Sequence, residues 1–77
     1  MQPGNIYIVG MNTKLLAEVD TLAKHMRQKY PQLRQGQALM SALHECSKET
    51  YDKISGTDAD CFYIDAAIEK FYQHIVS

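Results

Sequence analysis

Asp58, Asp60 and Glu69 stand at positions one, three and twelve of a twelve-residue frame. With that spacing a calcium loop offers its carboxylates. Such a loop also needs an oxygen ligand at position five and a glycine at six, where the chain turns sharply. Phe62 and Tyr63 fill those places, so the three acids read as turn and cap residues. His44 and Cys46 offer a base and a thiol. Two positions apart on one helix, they point about 200° away from each other and do not meet. Zinc requires a second close pair of ligands, and His25 and His74 lie far along the chain. No phosphate loop, dinucleotide fingerprint or G-x-S-x-G elbow occurs. A domain with so little core has scarce room for a ligand pocket of roughly 300 Å³ or more. The chain therefore reads as a non-enzyme with no catalytic residue, no metal site and no cofactor.

Two other stretches carry chemistry of a weaker kind. In RQGQALMSALHE, Gly36 falls in the first turn of a helix, flanked by Arg34 and Gln37. Glycine costs a helix interior about 1 kcal/mol relative to alanine, and what it offers is room for another backbone. A neighbouring helix, or the turn GTDAD at residues 56–60, is the expected neighbour. Arg34 is then placed for a forked pair with Asp58 or Asp60. The second stretch is basic: Lys24, Arg27, Lys29 and Arg34, with His25 among them. It is the expected exposed contact face. Its residues suit a protein partner or, less well, the phosphates of a duplex.

The elements that must hold these residues are helical. Asn12 reads as an N-cap, with Met11 before it and Leu16 inside as a hydrophobic staple. Leu15, Val19, Leu22, Met26 and Tyr30 then recur at four- and three-residue steps along one face. Pro31 ends that helix, because the residue before a proline is pushed out of helical angles. A second helix is expected over 35–46, with Leu39, Met40, Leu43 and Cys46 inward. Ser47 caps a short third helix that carries Tyr51 and Ile54 inward, and Gly56 closes it in the left-handed conformation. Thr57, Asp58 and Asp60 can bond to nearby backbone N–H groups in the turn that follows. A last helix begins between Asp60 and Ala66, with Ile64, Ile68, Phe71 and Ile75 on one face. Residues 1–5 are flexible by composition, and Ile6–Val9 reads as a short strand or an extended segment lying on the helices. The fold class is all-α: a compact bundle of three to four helices with a short extended N-terminal segment.

Seventy-seven residues make a single domain, 1–77. Apolar residues are 45% of the chain and charged residues 22%, which are globular values. At this size a domain buries only about 60% of its unfolded surface, so a second copy or a partner can cover what one copy leaves exposed. The net charge of −1 hides an asymmetry. Up to His44, five basic side chains face two acidic ones; from Glu45 onward, three face seven. The two halves can attract each other, within a chain or between copies. Cys46 and Cys61 form no C-x-x-C, and a secreted chain this short would carry more cross-links. No signal peptide or membrane span is visible, and a cytoplasmic setting is expected.

Arg34-x-Gly36-Gln37-Ala38, followed by a leucine-bearing helix and then Gly56-Thr57-Asp58-x-Asp60-x-Phe62-Tyr63, resembles a family of small uncharacterised proteins from phages and prophages. The likeness covers roughly residues 30–72. In the family's pattern a proline stands where this chain has Cys61, an asparagine near Ser41, and a second proline at Glu69. Glutamate at that last position permits an earlier helix start. The resemblance implies a mobile-element origin and a helical fold, and supplies no activity.

The expected function is that of a phage-type accessory protein acting through protein contacts on a host factor, with a homodimer compatible with it. The alternative is a DNA-binding regulator of the ribbon-helix-helix type, built from residues 6–9, 13–29 and 35–46. Its paired strands would have to read base edges with polar side chains. The run IYIV offers only Tyr7 beside Asn5, and no lysine or arginine precedes Lys14.

Overall fold

A computed structural model describes the backbone of residues 3–76 and the side chains of residues 13–76. It has four α-helices: α1 (Pro3–Lys29), α2 (Gln35–Cys46), α3 (Lys48–Ile54) and α4 (Ile68–Val76). A turn of 3₁₀ helix, Asp65–Ala67, leads into α4. There is no strand among the described residues, and the all-α class holds.

The long first helix ends where Pro31 requires. The Tyr30 N–H still donates to the Met26 carbonyl at 2.7 Å, and Arg27 and Lys29 sit in the last turn, where positive charge suits the helix dipole. Its start differs from the expected cap. The helix runs through Asn12 and takes in residues 6–9. A strand needs a pairing edge, and none of the described residues provides one; a helix satisfies its own backbone. Of the N-terminal stretch expected to be flexible, residues 1 and 2 lie outside the described residues, as does the Met11 side chain of the expected staple.

Burial follows the expected stripe for three of its turns. Val19 is fully buried, and Leu15, Leu22 and Met26 are half-buried against the core. Tyr30 is not inside: it lies one residue past the helix end, 48% exposed, with the Lys29 ammonium 5.7 Å from its ring centre. Ala23 takes the buried place instead, because a methyl group lets α2 come close.

On α2 the buried residues are Gly36, Ala38, Leu39, Met40, Ala42 and Leu43. Two alanines four apart make a flat strip between the larger side chains, and α1 lies along this helix and along α4. Ser47 then serves both neighbours. Its N–H closes α2 on the Leu43 carbonyl at 2.7 Å, and its hydroxyl accepts from the Thr50 N–H at 3.3 Å to start α3. Gly56 ends α3 with φ +83°, the left-handed region that glycine enters without penalty. Ile54 and Cys61 are fully buried, and Ala59 nearly so.

The last helix places Phe71 and Ile75 inside and Ile68 at the border. Ile64 is 59% exposed. It precedes the 3₁₀ turn, whose tighter winding breaks the four-residue spacing that grouped it with Ile68. Among the described residues no polar or charged side chain is buried.

Candidate functional site

The loop from Gly56 to Ile64 is held by its own side chains. The Thr57 hydroxyl donates to the Ile54 carbonyl at 2.6 Å and accepts from the Ala59 N–H at 3.2 Å. The Asp60 carboxylate accepts from the Gly56 N–H at 2.8 Å with one oxygen and from the Phe62 N–H at 3.0 Å with the other. Asp58 does not join this network. It is turned out to the Lys70 ammonium, 3.4 Å away. So braced, the loop lays the main chain of Cys61 against Gly36. A Cβ at position 36 would lie far inside van der Waals contact distance of the Cys61 carbonyl oxygen, and the Cys61 sulfur lies 3.7 Å from the Gly36 carbonyl. The close approach is made by a backbone carbonyl, which a proline at position 61 would supply equally.

Arg34 flanks this contact but finds a different acid from the two expected. Its guanidinium meets Asp65 at 3.1 Å, through one nitrogen, with both side chains more than half exposed. The reason is that Asp60 is committed to backbone donors and Asp58 to Lys70. At the same point the Gln37 carboxamide accepts from the Arg34 N–H at 3.2 Å. Arginine has no acceptor, so only this half of a capping box forms. An exposed ion pair contributes about 0.5 kcal/mol. Arg34→Ala is therefore expected to lower the melting temperature by only about 2–4 °C, measured by circular dichroism. A drop three times larger would show that Arg34 holds the loop in place.

The basic stretch divides. Lys24, Arg27, Lys29 and Arg34 are all exposed, but only the first two share a feature. They stand on the wall of an open cleft of about 530 Å³ between the end of α1 and the start of α2. Buried Ala23 and Leu39 form its floor, Pro31 is its exposed apolar residue, and Asp20, Gln28 and Gln35 add polar groups. Tyr72 of α4 donates to Asp20 at 3.1 Å. Burial and the adjoining Asp20 carboxylate hold that phenol above its usual pKa range, so it stays a donor. Lys29 lies over Tyr30 and Arg34 is drawn to Asp65, away from this wall. The sequence carries a signal for the cleft: Asp20, Lys24, Arg27 and Gln28 follow four- and three-residue spacing, the mark of one helical strip.

The remaining candidate chemistry does not assemble. Asp60 is bonded to backbone donors and Asp58 to Lys70, and no group of three His, Cys, Asp or Glu among the described residues is placed to share a metal ion. His44 packs edge-on against Tyr51, ring centres 4.8 Å apart. Burial, then Glu18 and Glu45, raises the Cys46 thiol. Burial pushes the Cys61 thiol up to about 11, so it is protonated and a weak nucleophile near neutrality. Both cysteines are unbonded. No helix of the described residues is long and apolar enough to cross a membrane.

Comparison of the chain with family models, with curated proteins and with solved structures returned no match.

Proposed function

We propose that this chain is a small protein-docking domain without chemistry of its own, an accessory protein of the phage type whose partner is a host factor in the cytoplasm. The observation that carries the reading is the cleft between α1 and α2, floored by the buried Ala23 and Leu39, with Pro31 exposed at its side and Lys24 and Arg27 on its edge. Apolar surface beside unburied cations suits a protein segment that presents an apolar side chain next to carboxylates. The phage setting rests on the paired motifs around Gly36 and Asp60 alone. Two unbonded thiols suit a reducing compartment.

The ribbon-helix-helix alternative needs residues 6–9 as a strand paired with those of a second copy; in the single chain they lie within α1. A DNA-binding reading then rests on the basic stretch alone, next to Asp20 in the same cleft. Two experiments separate these functions. Affinity capture from a bacterial lysate is expected to return a stoichiometric protein, and the Lys24→Glu/Arg27→Glu double variant to lose at least nine-tenths of it, on the order of 1.4 kcal/mol of binding. Equal capture by both forms, or none by either, removes the docking reading. Salt-sensitive retardation of random duplex DNA by the unmodified chain would put nucleic acid in its place.

A further inference from the structure

Met26, Met40, Tyr51 and Phe62 enclose a pocket of about 240 Å³ where α1, α2, α3 and the loop before α4 come together. It shares no lining residue with the cleft that carries Lys24 and Arg27. Met40 is its buried floor, and the half-buried Met26, Tyr51 and Phe62 are its walls. Ser41 is half-buried beside them, while His44 and Glu45 are exposed and stand at the mouth. The volume lies below the roughly 300 Å³ at which pockets for whole drug-sized ligands begin. It has room for a head group.

The lining selects what that head group is. Thioethers are soft and polarizable, and they adapt to the shape they touch. Aromatic rings attract a cation over their faces. None of the lining residues is lysine or arginine, and Glu45 is a carboxylate. Glu45 makes no ion pair or hydrogen bond among the described residues. A bare metal ion would find too few oxygens here. A positive charge that carries its own apolar shell would find both of its needs met. The chain does not supply that cation itself. Lys48, three residues before Tyr51 and on the same side of α3, is held by Asp52 at 3.2 Å. The walls are also set in advance. His44 fixes Tyr51 edge-on. Phe62 is tied through its N–H to Asp60, with its ring against Tyr63. Preformed walls lose little freedom when a ligand enters.

We propose that this pocket receives the head group of an organic cation, a methylated ammonium, with Tyr51, Phe62 and the two thioethers around its methyl groups and Glu45 beside its charge. The site is separate from the α1–α2 cleft and does not depend on the protein-docking reading.

Titration of the full chain with tetramethylammonium chloride, followed by NMR, tests it, with sodium chloride at equal ionic strength as the reference for screening. Saturable shifts are expected at Met26, Met40, Tyr51 and Phe62, with a dissociation constant on the order of 1 mM, as suits an open site with few contacts. Choline is expected to bind at least about tenfold more tightly than its neutral isostere, in which a tert-butyl group replaces the trimethylammonium. Glu45→Gln, at an exposed position that leaves the helical circular dichroism unchanged, is expected to weaken binding about fivefold. Tyr51→Leu is expected to weaken it about tenfold and Tyr51→Phe to preserve it, since the ring and not the hydroxyl holds the cation. A peptide carrying trimethyl-lysine identifies the source: tighter binding than choline assigns the head group to a protein side chain, and equal binding to any molecule that bears it. The absence of saturable shifts up to about 50 mM overturns the proposal. So does an isostere that binds as well as choline, which would leave an apolar hollow with no preference for charge. Affinity indifferent to Glu45→Gln overturns the placing of the charge even if Tyr51→Leu fails to fold.

Discussion

Gly36→Ala is expected to destabilise the chain by about 3 kcal/mol, the upper part of the range for inserting a methyl group into a packed interior. The added carbon would fall on the Cys61 carbonyl oxygen. Neither neighbour can yield cheaply. Gly36 is fixed within the first turn of α2, and Cys61 is held one residue from the doubly engaged Asp60. Alanine's better helix propensity recovers at most about 1 kcal/mol, and less near a helix start. For a chain of this size the melting temperature falls by on the order of 15 °C. Gly56→Ala is the comparison that identifies the cause. Gly56 has φ +83° and open space around its Cα, so alanine there costs only the left-handed backbone strain of about 1–2 kcal/mol. Conformation alone would rank Gly56 as the more sensitive glycine; the contact with Cys61 reverses that order. Thermal melts of the two variants side by side decide it, and equal losses would show that the loop can move off α2 at little cost.

Phe71→Ala carries the largest expected loss, about 4 kcal/mol. The ring is fully buried at the middle of a nine-residue helix, and Phe71 and Ile75 are the two side chains α4 buries, with Ile68 and Tyr72 packed at the border and Tyr72 bonded to Asp20 of α1. A helix of that length has no stability of its own in water. Total stability for a domain of this size is on the order of 5 kcal/mol. Removal of the ring therefore leaves a large unfolded fraction at 25 °C, whereas Phe71→Leu, which refills most of the volume, is expected to cost about 1.5 kcal/mol. Urea unfolding followed by circular dichroism reads both. A Phe71→Ala unfolding free energy within about 1 kcal/mol of the unmodified chain's would mean that α4 is held by some other contact.

Where one local rule governed a position, the sequence was enough. Pro31 stopped α1, Ser47 joined α2 to α3, and Gly56 took the left-handed turn, each because the residue's own chemistry leaves few options. The spacing of Leu39, Met40 and Leu43 marked the inner side of α2 for the same reason. Positions decided by competition between partners were not legible. Arg34 had several acids within sequence reach, and which one it meets depends on Asp60 being taken by backbone donors and Asp58 by Lys70. Ile64 followed the apolar spacing of α4 and still lies outside, since a 3₁₀ turn intervenes and carries no clear mark in the sequence. Ile6–Val9 lacked the alternation of a half-buried strand, and that absence was the available sign of the helix that covers it. The basic residues of the cleft were visible as a cluster. That Lys24 and Arg27 belong together while Lys29 and Arg34 do not depends on where α2 starts in space.

The thiol of Cys61 sits at the seam where the braced loop meets α2, fully covered and 3.7 Å from the Gly36 carbonyl. A reagent that modifies sulfur can reach it only when that seam parts, whereas Cys46, partly exposed, is reachable without any such event. The molecule thus carries its own paired reporters: one sulfur that registers each parting of loop from helix, and one that supplies the ungated reference rate.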